Sequence, residues 1–186
     1  MGQTLGVGNS DDSDKLDWCA ALAASGGGTT LALGSSVSDP GCPEAPKPKG
    51  QVRLWAHNQK SHSWQQKGSD LNALVELIRT KEFCEMGIEL TLSQDGNRVA
   101  MLVTESLPGG RSDVTACVVT FEWDGSEWCQ VGSRLQVPGA FRFSTSMSQD
   151  GKTKVTNCQD TIRGVVETFR WGGASDKDSD ATTMQK

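Results

Sequence analysis

Residues 90–102 read LTLSQDGNRVAML, and residues 145–157 read TSMSQDGKTKVTN. The tetrapeptide Ser-Gln-Asp-Gly thus stands at 93–96 and again at 148–151, each time between two strand-like runs. Glycine tolerates positive φ without steric cost, so Asp-Gly between two such runs marks the turn of a β-hairpin. A third stretch, LAASGGGTTLALGS at 22–35, falls into the same frame. Ser25, Ser93 and Ser148 coincide in it, as do Gly28, Gly96 and Gly151. Self-similarity of this kind predicts repeated units.

The strand ahead of each turn alternates. One face reads Trp18, Ala20, Leu22, Ala24 in the first copy, Met86, Ile88, Leu90, Leu92 in the second, and Phe141, Phe143, Thr145, Met147 in the third. Thr145 alone breaks the apolar column, so each copy is expected to place that face in a core. Downstream the copies read GQVRLWAHNQKSHSWQQKGSDL (50–71), CVVTFEWDGSEWCQVGSRL (117–135) and GVVETFRWGG (164–173). Trp55, Phe121 and Phe169 align, and Trp64 aligns with Trp128. Aromatics at fixed repeat positions point to packing between like units.

The expected fold is therefore all-β. Three four-stranded antiparallel units resembling propeller blades, about 17–71, 72–135 and 136–172, would form a partial or open propeller. One short helix is expected near 70–84, where Leu71, Leu74, Val75 and Ile78 share a helical face and Asp70 is placed to cap it. A flexible acidic segment, 1–16, precedes the units. The polar tail 173–186 has few apolar residues to bury and is expected to be disordered.

The ordered set of signals (strand, S-x-D-G turn, V-A strand, aromatic-ended strand, then D-G-S-x-W-x-Q-x-G) resembles the FG-GAP-like, integrin-alpha-type β-propeller repeats over roughly residues 17–172. The resemblance implies a non-enzymatic repeat module that acts as a protein-binding scaffold. The calcium loop D-x-[DN]-x-D-G of integrin-type blades is not matched, since the turns keep only Asp95-Gly96 and Asp150-Gly151. Closed propellers use roughly 4–8 blades. About three units leave edges open, which implies a protein partner or self-association through those edges.

Composition narrows the partners. The 186 residues carry a net charge of −5 with no block of Lys or Arg, which argues against a nucleic acid or an anionic membrane surface. No apolar run reaches the ~18–20 residues of a membrane helix. The N-terminus lacks the basic and apolar regions of a secretory signal, so a soluble chain is expected, with the cytoplasm favoured. Met1-Gly2 is followed by Gly6 where a myristoylation signal wants Ser or Thr. Cys19, Cys42, Cys84, Cys117, Cys129 and Cys158 form no C-x-x-C pair, so zinc spacing is missing. They read as small buried hydrophobes in a reducing compartment, with disulfides left open.

No catalytic, cofactor-binding or metal-binding residue is expected. His57 and His62 lie five apart in a polar hairpin without a third ligand or acid. SQDGNR comes near the Asp-box of sialidase propellers but lacks its closing Trp, and reads as a plain hairpin turn. Asn9, Asp11, Asp12, Asp14 and Asp17 offer oxygen ligands without the turn glycine and distal Glu of a calcium loop, and read as a solvated acidic loop. Loops 38–50 and 105–113 are expected to present polar groups on one rim. Two rival readings stand beside the scaffold. One is a carbohydrate-binding or glycan-hydrolysing propeller, for which Trp123 and Trp171 are the aromatics to examine. The other is a small structural subunit of a larger assembly.

Overall fold

A computed structural model describes residues 3, 5, 18–36, 51–71, 86–106, 114–137, 142–159, 164–170 and 181–185. Strands β1 (Trp18–Ala24), β2 (Thr30–Ser36), β3 (Gln51–Asn58) and β4 (Ser63–Gln66) form one antiparallel sheet in sequence order. The second sheet runs β5 (Met86–Leu92), β6 (Arg98–Ser106), β7 (Val114–Trp123) and β8 (Trp128–Gln130). A short fifth strand, β9 (Leu135–Val137), also pairs with β7. The third sheet is β10 (Arg142–Met147), β11 (Thr153–Gln159), β12 (Gly164–Arg170) and β13 (Ala181–Gln185). The fold is all-β, built of three antiparallel, blade-like repeats.

The duplicated turn has one geometry, written three times. Ser25, Ser93 and Ser148 each accept at Oγ from the amide five residues on, at 3.0, 2.9 and 2.9 Å. Their own amides donate to the carbonyls of those same residues, Thr30, Arg98 and Thr153. Gly28, Gly96 and Gly151 follow with φ of 64°, 68° and 70°, where a Cβ is disfavoured. In the second and third copies Ser Oγ also donates to Asp95 or Asp150 at 2.6 Å. The same carboxylates accept the amides of Asn97 and Lys152. The first copy has Gly27 at that position and makes the turn without an aspartate.

The core lies between sheets. Ala32, Val52, Leu54 and Leu71 of the first unit pack against Leu92, Val99, Met101, Val103, Val119, Phe121 and Trp128 of the second. Burying a Leu- or Met-sized side chain contributes ~1.5–3 kcal/mol. On the other face of the second sheet, Ala100, Leu102 and Val118 pack with Leu135 and with Met147 of the third unit. The second unit is thus the middle layer. β5 lies against β1 and β2 on one side, and β10 lies against β5 and β6.

Layering corrects the expected core face of the first strand. Leu22 is 65% exposed and Ala24 is exposed, whereas Ala21 and Ala23 pack on the core. In the second unit the aligned Leu90 and Leu92 do face the core. In the second unit that column meets the preceding unit, whereas among the described residues nothing packs on it in the first.

One further expectation changes. Residues 181–185, within the tail expected to be disordered, form β13 and pair with β12 from Ala181↔Phe169 to Gln185↔Val165. The Ala-Thr-Thr-Met-Gln segment is short and Thr-rich, and the open edge of β12 supplies the backbone partners that its composition alone does not. The helix expected near 70–84 falls mostly on residues 72–85, outside those described, and no helix occurs among the described residues. Leu71 instead forms an isolated antiparallel bridge with Val52. The second unit repeats this as the Leu135–Val118 pairing of β9 with β7.

Candidate functional site

The three β1–β2-type turns and the two described β3–β4-type hairpins, after β3 and after β7, close on the same rim, because the strands alternate in direction. Backbone bonds tie the two sets together: the His57 amide donates to Thr29, and the Trp123 amide to Asn97. Neighbouring turns are also bonded, Gly27 N–H to the Gln94 carbonyl at 3.3 Å and Gln94 N–H to the Gln149 carbonyl at 2.9 Å.

The central knot of this rim is Lys67. The ammonium donates to the Gly96 carbonyl and to Asn97 Oδ1, both at 2.8 Å. It also lies 5.3 Å from the Trp123 ring centroid and 5.1 Å from that of Trp128. Trp128 Nε1 donates back to the Lys67 carbonyl at 2.7 Å. Desolvation lowers the Lys67 pKa, partly offset by the Asp95 charge. A cation from the first unit therefore fastens the turn and both tryptophans of the second.

Other polar side chains are similarly engaged. Arg53 meets Asp70 in a two-point ion pair, Nε to Oδ1 at 2.8 Å and a terminal nitrogen to Oδ2 at 2.6 Å. Gln66 adds a third bond to that carboxylate, and the Arg53 hydrogen bond is the main cause that holds the Asp70 pKa down. Arg98 pairs with Glu122 at 3.0 Å. Asp124 accepts from Ser126 N, Ser126 Oγ and Glu127 N at 2.7–2.9 Å. Those bonds, the Glu127 amide first, lower its pKa to about 2. Asp124, Glu127 and Cys129 bring three ligand-type atoms within 4.8 Å of one another, all exposed. Asp124 Oδ1 takes all three turn bonds and Oδ2 accepts from Cys129 Sγ at 3.7 Å, so the group reads as turn chemistry.

His57 is half-buried and sits edge-on to Trp64 at 5.2 Å. His62 is exposed, with φ of 51° and its ring 6.5 Å from that of His57. The hairpin brings the two rings together without an acidic neighbour among the described metal-type groups. Trp123 is half-buried against Trp128 at 5.4 Å and under Lys67, so its ring is not an open platform. Trp171, the acidic loop 9–17, and loop 38–50 lie outside the described residues, as does 107–113 of the other loop. Cys129 is exposed and forms no disulfide, which corrects the buried reading for that residue. Cys117 is half-buried and packs on the core. The side chains of the other four cysteines are outside those described.

Sequence reasoning singled out neither Lys67 nor Gln3, and of Lys154 it gave only that a polar residue, like Thr145, replaces a core one of the other copies. Lys67 carries no motif, and only its place between Trp64 and Gly68 of the repeated signature hints at a fixed role. Lys154 is 4% exposed and donates to Thr120 Oγ1 across the unit boundary. Gln3 docks its side-chain amide on the edge of β4, donating to the Trp64 carbonyl at 3.1 Å and accepting its amide at 2.8 Å.

No protein-family model and no curated protein matches the chain. Among solved structures it is similar to the crystal structure of TolB from Acinetobacter baumannii, at 8% identity and a TM-score of 0.42. The match covers 89% of this chain and 32% of that one, so the chain spans about a third of its length.

Proposed function

We propose that this chain is a non-enzymatic module of FG-GAP-like repeats that serves as a protein-binding scaffold. One observation carries the reading: Asp70, the turn aspartates and Lys67 are engaged in holding turns and units together. Asp95, Asp124 and Asp150 cap turns, Lys67 fastens a neighbouring turn, and Asp70 is paired to Arg53. A rim built this way presents shape and backbone to a partner. The burial of Trp123 under Lys67 argues against the glycan-binding alternative, which needs an open aromatic face. No helix of the described residues is long and apolar enough to cross a membrane.

The test has two arms. Photo-crosslinkers at the exposed hairpin positions Lys60 and Glu127 are expected to capture one discrete protein from the native source. A glycan array and a panel of umbelliferyl glycosides are expected to give neither saturable binding nor turnover. Turnover, or glycan binding lost on Trp123→Ala, would replace the scaffold with the glycan reading.

A further inference from the structure

Stacking of the repeats has a direction. The glycine of each later turn rests on the serine turn of the unit before it. A Cβ at Gly96 would come within 2.3 Å of Thr30 Oγ1 and 3.2 Å of Ser25 Cβ. At Gly151 it would meet Arg98 Cδ at 2.7 Å and Ser93 Cβ at 3.2 Å. The covered serines are buried, Ser25 at 4% exposure and Ser93 at 1%. Among the described residues, neither end of the stack has this cover. Gly28 has the same φ but faces open space, and Ser148 is only half-buried beside a half-buried Thr153. Ser148 and Thr153 repeat the Ser25 and Thr30 pair on which Gly96 is seated.

Apolar faces tell the same story independently. Leu22 and Val155 are the exposed large hydrophobics among the described residues. In the repeat frame Leu22 occupies the position of Leu90, and Val155 that of Ala32 and Ala100. Leu90 and Ala32 belong to one cluster between the first and second units. A Leu22–Val155 pairing sets the same two repeat positions into one cluster, now between two chains.

We propose that two copies of this chain join head to tail, the outer face of the first unit of one seated on the outer face of the third unit of the other. Gly28 meets Ser148 and Thr153, and Leu22 meets Val155. Two copies of three sheets make a six-bladed ring, within the roughly 4–8 blades of closed propellers. The two seams are equivalent by a twofold axis, so the assembly closes and does not extend into a filament. Exposed Ser144 and Ser146 flank Val155, which makes the seam more polar than the core inside one copy. The dimer is therefore reversible on dilution. This inference concerns assembly alone and does not rest on the scaffold reading.

Sedimentation equilibrium over a dilution series tests it, on the wild type, Leu22→Glu, Val155→Glu and an equimolar mixture of the two variants. Both substitutions fall on exposed positions of a single copy, and circular dichroism checks that the strands are kept. The wild type is expected to be a concentration-dependent dimer, and each variant alone to associate roughly tenfold more weakly or worse. The mixture recovers a dimer, because a mixed pair keeps one intact Leu22–Val155 seam. A wild type that stays monomeric, or a mass above the dimer, overturns the ring. A Val155→Glu chain that still dimerises, or a mixture without rescue, replaces it with another contact.

Discussion

At the residue scale, the three turn glycines separate backbone strain from packing. All three have the same φ, so an alanine at any of them carries the ~1–2 kcal/mol of left-handed backbone. Gly96 and Gly151 carry a second term, because the new Cβ lands on the neighbouring turn. Overpacking adds ~1–3 kcal/mol. Urea denaturation at a dilution where the chain is monomeric is expected to rank Gly28→Ala as the mild variant and the other two as severe. Equal losses at all three would mean that the turns do not stack. Lys154 gives a second residue-scale prediction. Burial lowers its pKa to about 8 from an ordinary 10.5. Between those values the unfolded chain binds more protons than the folded one, so stability rises as pH climbs through that window. The gain is at most about 3 kcal/mol. Lys154→Met is expected to raise stability at neutral pH by ~1–2 kcal/mol and to flatten much of the alkaline rise. Lys67, also lowered, leaves a smaller residual slope of the same sign. An unchanged slope in the variant would place the titrating group elsewhere. The repeated serine, glycine and aspartate were readable in the sequence because turn chemistry is local. The partners of Lys67 and Lys154 were not, because each is a neighbour 30 or more residues away.

At the element scale, strand existence followed from period-2 alternation and the hairpin turns, and all three units paired as those signals require. Which face of a strand is covered was a different matter. Alternation reports that one face is apolar, and Leu22 shows that this face can be the one turned outward when its unit ends the stack. β13 is the complementary case. ATTMQ has no alternation to read, and its strand state comes from the free edge of β12, a partner that local propensity does not contain. Ending the chain at residue 180 removes five ladder pairs and bares the β12 edge. The truncated chain is expected to melt several degrees lower, since ~1 kcal/mol shifts Tm by about 2–4 °C for a domain of 150–250 residues. It is also expected to scatter more light on standing, as an exposed edge recruits other strands. Calorimetry and static light scattering that match the full chain would show β13 to contribute nothing to the sheet.

For the whole molecule, the two boundaries between units differ in chemistry. The first is apolar, with Leu54, Met101, Val99 and Val103 fully buried among their neighbours. The second carries polar groups where the other copies have apolar ones. Lys154 aligns with Val99, and Thr145 with Leu90. Thr145 Oγ1 is buried without a hydrogen-bond partner. The Thr145 amide donates to Glu89 Oε2 at 2.9 Å, and desolvation raises the pKa of that carboxyl despite the bond. A buried polar atom left unpaired costs ~1–3 kcal/mol, and a half-buried carboxylate and a buried ammonium add to it. These costs fall on the third unit's attachment, so that unit is the one to open first. Native-state hydrogen exchange is expected to protect the amides of β6 and β7 to near the global unfolding free energy. The amides of β10 and β11 should exchange through a lower-energy opening, and as a group, because their sheet leaves the second one together. Substituting Thr145→Val removes the unpaired hydroxyl and restores an apolar residue to the column, so it should raise the protection of β10 and β11 while leaving β2 and β3 unchanged. Uniform protection across all three sheets, or a Thr145→Val effect spread evenly over them, would mean that the three units unfold as one body.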